Sequence, residues 1–392
     1  MIQFPKHFWW GAATSSYQVE GNNSAADWWM WEKAAGKENS GQACHHYELY
    51  NEDFDLVKNL NHNAHRLSIE WSRIEPQEGQ FNQKEIQHYI RVINALRSRG
   101  IEPMVTLHHF TNPIWLSEKG GWTNPDVIKY FNRYCDVMVQ ALAKKVNYWM
   151  TINEPTIYIS HSYLFGFWPP QEKSLIRAKI VHDHMLAAHT DAYRVIHRIY
   201  KGLGLTVPQV GIAHHMPAVE THQPTLFNKV RVWFRDFLFN FEILDQLYKA
   251  KTMDFIGINY YSRNIVGKTI HAPSGKNSLS WDIYPQGLYD ILLKLKKYKL
   301  PVIISENGIC TADDTKRWDF IAEHLKAIHQ AMAQGVDVRG YLYWSLLDNF
   351  EWDKGFDPRF GLIDVDYKTF KRHVRESARK FAKVCEGGCL DI

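Results

Sequence analysis

The chain has 392 residues, of which 45% are hydrophobic and 22% are charged, so it can bury a sizeable core and global disorder is excluded. The net charge is only +4, and the richest basic run, KLKKYK at 294–299, is typical of a solvated helix face. Nucleic-acid binding is therefore not favoured. No apolar run approaches the roughly 20 residues of a membrane span, and the N-terminus lacks the pattern of a signal peptide. We expect a soluble, cytoplasmic protein without a membrane partner.

Cysteines and histidines give no sign of a disulfide framework or a metal site. The five cysteines are scattered, odd in number and outside any CxxC pattern, which favours a reducing compartment. The twenty histidines include the clusters 45–46, 108–109, 182/184/189 and 214–215. None of these clusters has the ligand spacing of a HExxH or paired CxxC site. We expect no metal and no other cofactor.

Short apolar segments that read as buried strands recur along the whole chain. In chain order they cover residues 8–15, 65–71, 103–109, 146–155, 209–215, 253–261, 301–308 and 338–349.

Helical patterns lie between these segments. One helix carries Phe54, Val57 and Leu60 on one face, and the next places isoleucines at 86, 90 and 93. Asn124 and Pro125 predict the N-cap and first position of a third helix, and a long helix is expected over about 174–200.

Eight strands alternating with helices predict a single closed (β/α)₈ barrel that spans residues 1–392. An open doubly wound sheet is the alternative, but it usually has fewer strands and a Gly-rich phosphate turn. Neither GxGxxG nor GxxxxGK[ST] occurs in the sequence. No linker, low-complexity tract or internal repeat divides the chain.

Polar and aromatic side chains gather at the ends of the predicted strands, where barrels of this type place their catalytic groups. A mixture of amides, imidazoles, carboxylates and indoles suits a sugar, whose hydroxyls need polar partners and whose ring faces stack on aromatics. The residues in these positions are Gln18, Glu20, Arg66, Glu70, His108, His109, Asn153, Glu154, Asn259, Tyr260, Tyr261, Glu306, Trp344, Asp348, Asn349, Glu351 and Trp352.

Glu154 and Glu306 indicate glycoside hydrolysis, in which one carboxyl group protonates the leaving oxygen and the other attacks the anomeric carbon or activates water. Their strands, the fourth and the seventh, lie across a barrel of eight, so the two groups can face each other over its mouth. Arg66 or Tyr261 could keep the nucleophile ionised, while burial keeps Glu154 protonated.

Four motifs resemble those of glycoside hydrolase family 1, the retaining β-glucosidase family. FPKHFWWGAATSSYQVEG resembles the N-terminal signature of the family, TINEP its acid/base motif, ISENG its nucleophile motif and WSLLDNFEW its sugar-binding motif. The motifs occur in the family's order and cover nearly the whole chain. The resemblance implies a retaining β-glycosidase for which a small β-glycoside or oligosaccharide is the substrate.

The resemblance also implies a role for each matching residue. Glu306 would be the nucleophile and Glu154 the acid/base. The remaining catalytic set would be Arg66, Tyr261 and Asn259, with Arg66 and Tyr261 orienting Glu306. The sugar-binding set would comprise Asn153 at the 2-hydroxyl, Gln18 and Glu351 at the outer hydroxyls, His109 and Trp352 beside them, Trp344 under the ring, and Phe360.

The chain departs from the family pattern in two respects. HHF stands where the family usually has YHW, so Phe110 replaces a tryptophan. The chain is also short for the family, with less sequence after TINEP, between NYY and ISENG, and after ISENG. These shortened βα loops predict an intact sugar pocket with a more open aglycone side. Glu351 and Trp352 are retained, which favours a sugar without a 6-phosphate.

Two other functions remain open for such a sequence. A transglycosylase would use a sugar acceptor in place of water, and a non-catalytic relative would only bind sugars, since fold does not guarantee activity. Both glutamates are present, which favours hydrolysis of β-glucosides, with β-galactosides and β-fucosides as alternative substrates. Retention requires carboxyl groups about 5–5.5 Å apart.

Overall fold

The computed structural model describes residues 1–267 and 275–391. Eight parallel strands form a closed barrel in chain order, which confirms the predicted fold. The strands are β1 Trp9–Ala13, β2 Ala64–Ser68, β3 Glu102–His108, β4 Tyr148–Asn153, β5 Gln209–His215, β6 Ile256–Tyr260, β7 Val302–Asn307 and β8 Val338–Trp344. Several predicted segments run past these ends, because the motif residues that follow a strand continue its apolar pattern.

The barrel closes where β8 pairs with β1, from Gly340 opposite Trp9 to Trp344 opposite Ala13. The ladder of β7 is irregular around Glu306 on both sides, and the β4–β5 ladder is irregular just before Asn153. Such irregularities re-aim the side chains that follow them. They occur at the two strand ends that carry the glutamates.

Apolar side chains fill the lower part of the barrel interior. One compact cluster draws a residue from nearly every strand or its edge: Ala64, Met104, Met150, Ala213, Phe255, Ile303 and Leu342. This cluster closes the barrel below the strand ends, so polar residues are confined to the mouth.

Helices surround the barrel and include His46–Asn59, Gln83–Ser98, Val127–Leu142, Leu175–Gly202, Leu226–Asp236, Glu242–Ala250, Pro285–Leu295, Asp314–Ala333 and Glu376–Gly387. Shorter helices are Ser16–Val19, Asp27–Ala34, Trp71–Ile74, Ile114–Glu118 and Pro155–Ile159, with single turns at Gly121–Thr123, Ser160–Leu164, Phe237–Phe241, Lys296–Tyr298 and Trp352–Lys354. Paired short strands are Ile2–Gln3 with Cys389–Leu390, Ala218–Glu220 with Arg263–Ile265, and Ile363–Val365 with Arg372–Val374.

Two predicted helix starts have different outcomes. Ser174 caps its helix by accepting from the Arg177 backbone N–H at 3.3 Å, as its position before the long helical pattern suggests. The start at Asn124 was wrong, because the helix begins at Val127 with Asp126 as N-cap. The Asn124 side chain instead accepts from the Asp126 N–H at 2.9 Å and forms a turn that precedes the helix.

The connection after β7 is short, in line with the prediction of less sequence after ISENG. Residues 308–313 alone separate β7 from the helix Asp314–Ala333. Among the described residues, no helix combines the length and the apolar character needed to cross a bilayer.

Candidate active site

Glu306 lies at the end of β7 and is buried with two direct partners. The Arg66 guanidinium donates to one carboxylate oxygen, and the Tyr261 hydroxyl donates to the other. Arg66 comes from β2 and is 1% exposed. Its remaining N–H groups donate to Asn153 Oδ1 at 2.6 Å and Thr106 Oγ1 at 3.0 Å. Arg66 is therefore fixed from several strands, and it fixes Glu306 in turn.

Glu154 directly follows β4 and has a φ of 42°, in the left-handed region that a non-glycine residue rarely adopts. Pro155 begins the next helix and disfavours the right-handed conformation at Glu154. The Asn259 amide donates to Glu154 Oε1 at 2.7 Å, and the Ser305 hydroxyl donates to Asn259 Oδ1 at 2.7 Å. The strained backbone and this hydrogen-bond chain aim the Glu154 carboxyl group.

The two carboxyl groups titrate as a pair, because the charge of each disfavours ionisation of the other. Burial and the charge of Glu154 raise the pKa of Glu306 to about 7 against the opposing effect of Arg66. Burial also raises the pKa of Glu154, but His215 and the Asn259 amide outweigh it and leave that pKa below its usual value. The prediction that burial keeps Glu154 protonated is therefore wrong for this arrangement of charges. His215 Nδ1 lies 3.6 Å from Glu154 Oε1.

Gln18 and Glu351 lie together at the side of the mouth formed by the connections after β1 and β8. The Gln18 amide donates to Asn349 Oδ1 at 2.9 Å, to the Phe350 carbonyl at 2.8 Å and to Glu351 Oε2 at 3.3 Å. Burial and the charges of Glu306 and Glu154 raise the pKa of Glu351 to about 8. At neutral pH this carboxyl group can therefore both donate and accept hydrogen bonds.

Aromatic rings line the mouth beside the carboxyl groups. The His109 ring lies parallel to the Trp344 and Trp352 rings, each with its centroid 6.1 Å away. The Asn153 amide donates to His109 Nε2 at 3.2 Å, which links this wall to the carboxyl pair. Phe360 packs with Trp344 in one buried cluster and lies 6.2 Å from the Tyr261 ring.

All of the predicted catalytic and sugar-binding residues thus meet at one end of the barrel. Other residues predicted at the strand ends serve the scaffold instead. Glu20 forms an ion pair with Arg73, and Asp348 forms one with Arg375. Glu70 accepts hydrogen bonds from the Ser72 and Thr111 hydroxyls. His108 bonds Asn112, and the Tyr260 hydroxyl donates to the Tyr284 carbonyl. Their side chains point away from the mouth, a difference that strand position alone does not reveal.

Sequence reasoning missed two side chains of this region. His215 is the last residue of β5 and was considered only as part of a histidine pair. Trp168 packs against Trp352 at 5.9 Å and against Phe110 at 5.1 Å, and its indole N–H donates to Asp353 at 3.0 Å. The end of β5 was a usable signal for His215, whereas Trp168 lies in a connection without strand periodicity.

A closed (β/α)₈ barrel with a buried carboxyl pair inside a polar, aromatic-lined mouth is the architecture of a glycoside hydrolase. The family model described as glycosyl hydrolase family 1 matches residues 1–248 and 231–388. The chain therefore belongs to glycosyl hydrolase family 1, and it is an O-glycoside hydrolase.

Individual relatives cover the chain almost completely. Beta-glucosidase A of Thermotoga maritima is 33% identical over 99% of both chains. That alignment has 446 positions, more than fifty beyond the length of this chain, which accords with shortened connections.

Solved structures give the same result. A beta-glycosidase from Pyrococcus horikoshii has a TM-score of 0.93 and 38% identity, covering 99% of this chain and 96% of its own. A beta-glucosidase from Thermotoga maritima in complex with glucoimidazole has a TM-score of 0.92 and 30% identity, covering 99% of this chain and all of its own.

Proposed function

We propose that this chain is a retaining β-glycosidase that removes a terminal β-D-glucosyl residue, with Glu306 as the nucleophile and Glu154 as the acid/base. The observation that carries the assignment is the asymmetry of the carboxyl pair. Glu306 receives a guanidinium and a phenol, both of which stabilise a carboxylate, whereas Glu154 receives one amide and lies beside a histidine.

In the first step, a Glu306 carboxylate oxygen attacks the anomeric carbon and the bond from that carbon to the leaving oxygen breaks. Glu154 gives its proton to that oxygen, so the aglycone leaves as a neutral alcohol. This step requires Glu154 to hold the proton of the carboxyl pair, and Arg66 and Tyr261 stabilise the charge that Glu306 then carries.

In the second step, Glu154 acts as a base and takes a proton from water. The water oxygen bonds to the anomeric carbon, and the ester bond to Glu306 breaks, which regenerates both groups. Two displacements at the same carbon retain its configuration. A sugar hydroxyl in place of water would give transglycosylation by the same step.

The sugar pocket favours an unphosphorylated glycoside. The charged groups with the strongest influence on Glu351 are Glu306, Glu154 and Asp353, all of them acidic. A phosphate needs cations and donors around it, so a 6-phosphate would be repelled there. His109 Nδ1 is buried and has no protein partner among the described residues, and it can donate to a sugar hydroxyl.

We propose further that the aglycone side is open. The connection after β7 is short, and Trp281 at the edge of the site is 37% exposed, with its ring 5.9 Å from Tyr261. An open edge with an exposed indole accepts aryl and alkyl aglycones without a tight wall.

We also infer a cytoplasmic location. The five cysteines are all unpaired, as expected of a reducing compartment.

The test is hydrolysis of 4-nitrophenyl β-D-glucoside, galactoside and fucoside by the wild type and by Glu306→Ala. Loss of the nucleophile is expected to lower kcat by several orders of magnitude, while Glu323→Ala, an exposed helix position, leaves the rate unchanged. Sugar binding without turnover by the wild type would favour the non-catalytic alternative. Disaccharide products in place of free glucose would favour transglycosylation.

Azide separates the two glutamate roles. In Glu306→Ala, azide should attack the sugar directly and yield the α-glycosyl azide. In Glu154→Ala, azide should attack the glycosyl-enzyme and yield the β-glycosyl azide. The opposite pattern of products would reverse the assignment.

A further inference from the structure

The helix Leu226–Asp236, in the connection between β5 and β6, presents an apolar face to solvent. Exposed fractions are 79% for Leu226, 70% for Phe227, 55% for Val230, 66% for Trp233 and 54% for Phe234. The next turn continues this face with Phe237 and Leu238, which are 36% and 41% exposed. Intervals of three and four residues place these side chains on one side of the helix. We call these seven residues the apolar face.

The opposite side of this helix faces the protein, with Asn228 buried and Val232 and Asp236 half-buried. Asn228 donates to the Gln223 carbonyl at 3.0 Å, and Asn240 donates to the Pro217 carbonyl at 2.8 Å. Asp236 accepts from Lys294 at 2.7 Å. A surface helix of a soluble domain normally turns its apolar side inward. In the part of the chain that the structure describes, these seven large apolar side chains are left facing solvent, which is typical of an interaction surface.

Cations accompany the apolar face. Lys229, Arg231 and Arg235 are exposed on the same helix. The Arg231 guanidinium lies 5.4 Å from the centroid of the Phe227 ring, so charge and aromatic surface are interleaved. Asp236 is the only acidic residue of the helix, and it is paired with Lys294. The unpaired charge of this surface is therefore positive.

We propose that this helix docks the protein on a lipid bilayer that contains anionic headgroups. Bulky aromatic and aliphatic side chains together with Lys and Arg are the pattern of helices that lie in the plane of the membrane interface. Such a helix needs no membrane-spanning length, which is why the sequence, judged by its apolar runs, predicted no membrane partner. The anionic cytoplasmic leaflet supplies the complementary charge.

A second copy of the chain is a less suitable partner for the same face. A twofold contact through this helix would bring the three cations of each copy together, with no unpaired acidic residue on the helix to offset them. Anionic lipid offsets this charge directly.

The position of the helix relates the docking surface to the active site. The helix packs on the short strand Ala218–Glu220, which pairs with Arg263–Ile265. Arg263 is two residues beyond Tyr261, whose hydroxyl contacts Glu306. The helix therefore lies close to the connections that build the mouth of the barrel.

The neighbouring connection, after β4, is also apolar on its outside. Phe165, Phe167, Leu175 and Ile176 are 48%, 57%, 79% and 75% exposed. Both connections leave the carboxyl ends of adjacent strands. Docking through them turns the mouth of the barrel toward the lipid surface.

The experiment is cosedimentation of the full chain with large unilamellar vesicles of phosphatidylcholine, with and without phosphatidylglycerol. The W233S/F234S double variant is expected to lose at least about tenfold in partition coefficient, because the interfacial burial of two aromatic rings is lost. Val207→Ser, a 73% exposed residue just before β5, is the matched control and should bind as the wild type does.

A second pair of variants tests the charge. R231Q/R235Q should lose roughly fivefold per cation, and only on vesicles with phosphatidylglycerol, as should the wild type in high salt. Arg379→Gln is the control, since this exposed arginine lies on the helix Glu376–Gly387. Hydrolysis of 4-nitrophenyl β-glucoside in solution should be unchanged in all variants, which shows that they are folded.

Three results would overturn the proposal. The first is absence of wild-type binding to both kinds of vesicle, and the second is equal binding by W233S/F234S. The third is a wild-type dimer that W233S/F234S abolishes, without vesicle binding, in which case the apolar face is a contact between copies. None of these results depends on catalysis, so failure of the docking proposal is distinct from failure of the proposed function.

Discussion

At the scale of single residues, the site is defined by how each charge is neutralised. Arg66 bonds Glu306, Asn153 and Thr106 at once, so one guanidinium sets the geometry of the proposed nucleophile and of the amide proposed to bind the sugar. Glu154 depends on a strained backbone and on Asn259. Replacement of any of these groups would leave a buried partner unsatisfied, which costs more than the net value of the lost bond.

His215 is expected to set the basic limb of the pH–rate profile. It lowers the pKa of Glu154, which must hold a proton at the start of the reaction. His215→Gln removes this influence and should raise the pKa at which the carboxyl pair loses its shared proton. The basic limb of kcat/KM should then shift to higher pH, by up to about one pH unit.

The measurement is kcat/KM for 4-nitrophenyl β-glucoside between pH 5 and pH 10. His197→Gln is the control. His197 lies on the outer helix Leu175–Gly202 and pairs with Asp254, so its replacement should not affect the profile. An unchanged basic limb in His215→Gln would assign that limb to another group.

Glu351 is expected to make stability depend on pH in an unusual direction for a carboxyl group. Its folded-state pKa of about 8 is above its ordinary value of 4.5, so the folded protein keeps a proton that the unfolded chain releases. The stability contribution of Glu351 is therefore fully present below pH 4.5 and is lost as the pH rises to about 8. Glu351→Gln has no titratable group at this position, so its stability does not fall in this way as the pH rises.

Thermal or urea unfolding at pH 5 and pH 9 tests this expectation. The free energy of unfolding of Glu351→Gln relative to wild type should increase between these pH values by an amount on the order of 2–4 kcal/mol. Glu323→Gln, on the exposed face of an outer helix, should show no such change. A difference that is independent of pH would mean that Glu351 is ionised throughout.

At the scale of elements, strands and helices have separate tasks. The ladders of β4 and β7 become irregular where the glutamates emerge, while an outer helix such as Gln83–Ser98 has a side-chain N-cap of its own. Helix stability can therefore be altered without disturbing the carboxyl pair.

Asn82 provides a test of that separation. It caps the helix Gln83–Ser98 by accepting from the Lys84 and Glu85 backbone N–H groups at 3.1 and 3.4 Å. Asn82→Ala should lower the free energy of unfolding by about 1 kcal/mol and leave kcat unchanged. Asn51→Ala, within the helix His46–Asn59, is the control and should not destabilise the protein. A loss of activity in Asn82→Ala would show that this helix is coupled to the site.

At the scale of the whole molecule, the two ends of the chain are joined. Ile2–Gln3 pairs with Cys389–Leu390, and β1 pairs with β8. The strand Cys389–Leu390 thus fastens the first residues to the helix Glu376–Gly387. A ring of strands closed by its first and last members is expected to unfold as one unit, and we propose that the chain is a single domain.

Leu390→Ala tests this cooperativity, since Leu390 is 1% exposed. The substitution should cost about 2–3 kcal/mol through lost burial and a cavity. Calorimetry should show one transition that moves to lower temperature as a whole. Leu226→Ala, at a 79% exposed position, should change stability by less than about 0.5 kcal/mol. A separate early transition in Leu390→Ala would mean that the ends form an independent unit.

The sequence by itself determined the barrel and most of its mouth. Alternation of apolar strands and amphipathic helices is a local property, and residues such as Glu306 and Asn259 lie at strand ends where that pattern stops. The motifs around Gln18 and Glu351 are long enough to predict a sugar site without coordinates. The predicted helix start at Asn124 was wrong because turns and helix N-caps use the same residue types.

Only the tertiary structure decided which groups touch. His215 became relevant because closure of the barrel brings the end of β5 to Glu154. The apolar residues of Leu226–Asp236 recur at helical intervals whether their side of the helix faces the core or solvent. The sequence pattern alone therefore cannot tell which side is exposed. Strand ends and helix faces follow from short-range chain geometry, whereas the partner of each charge and the exposure of each face depend on residues far apart in the chain.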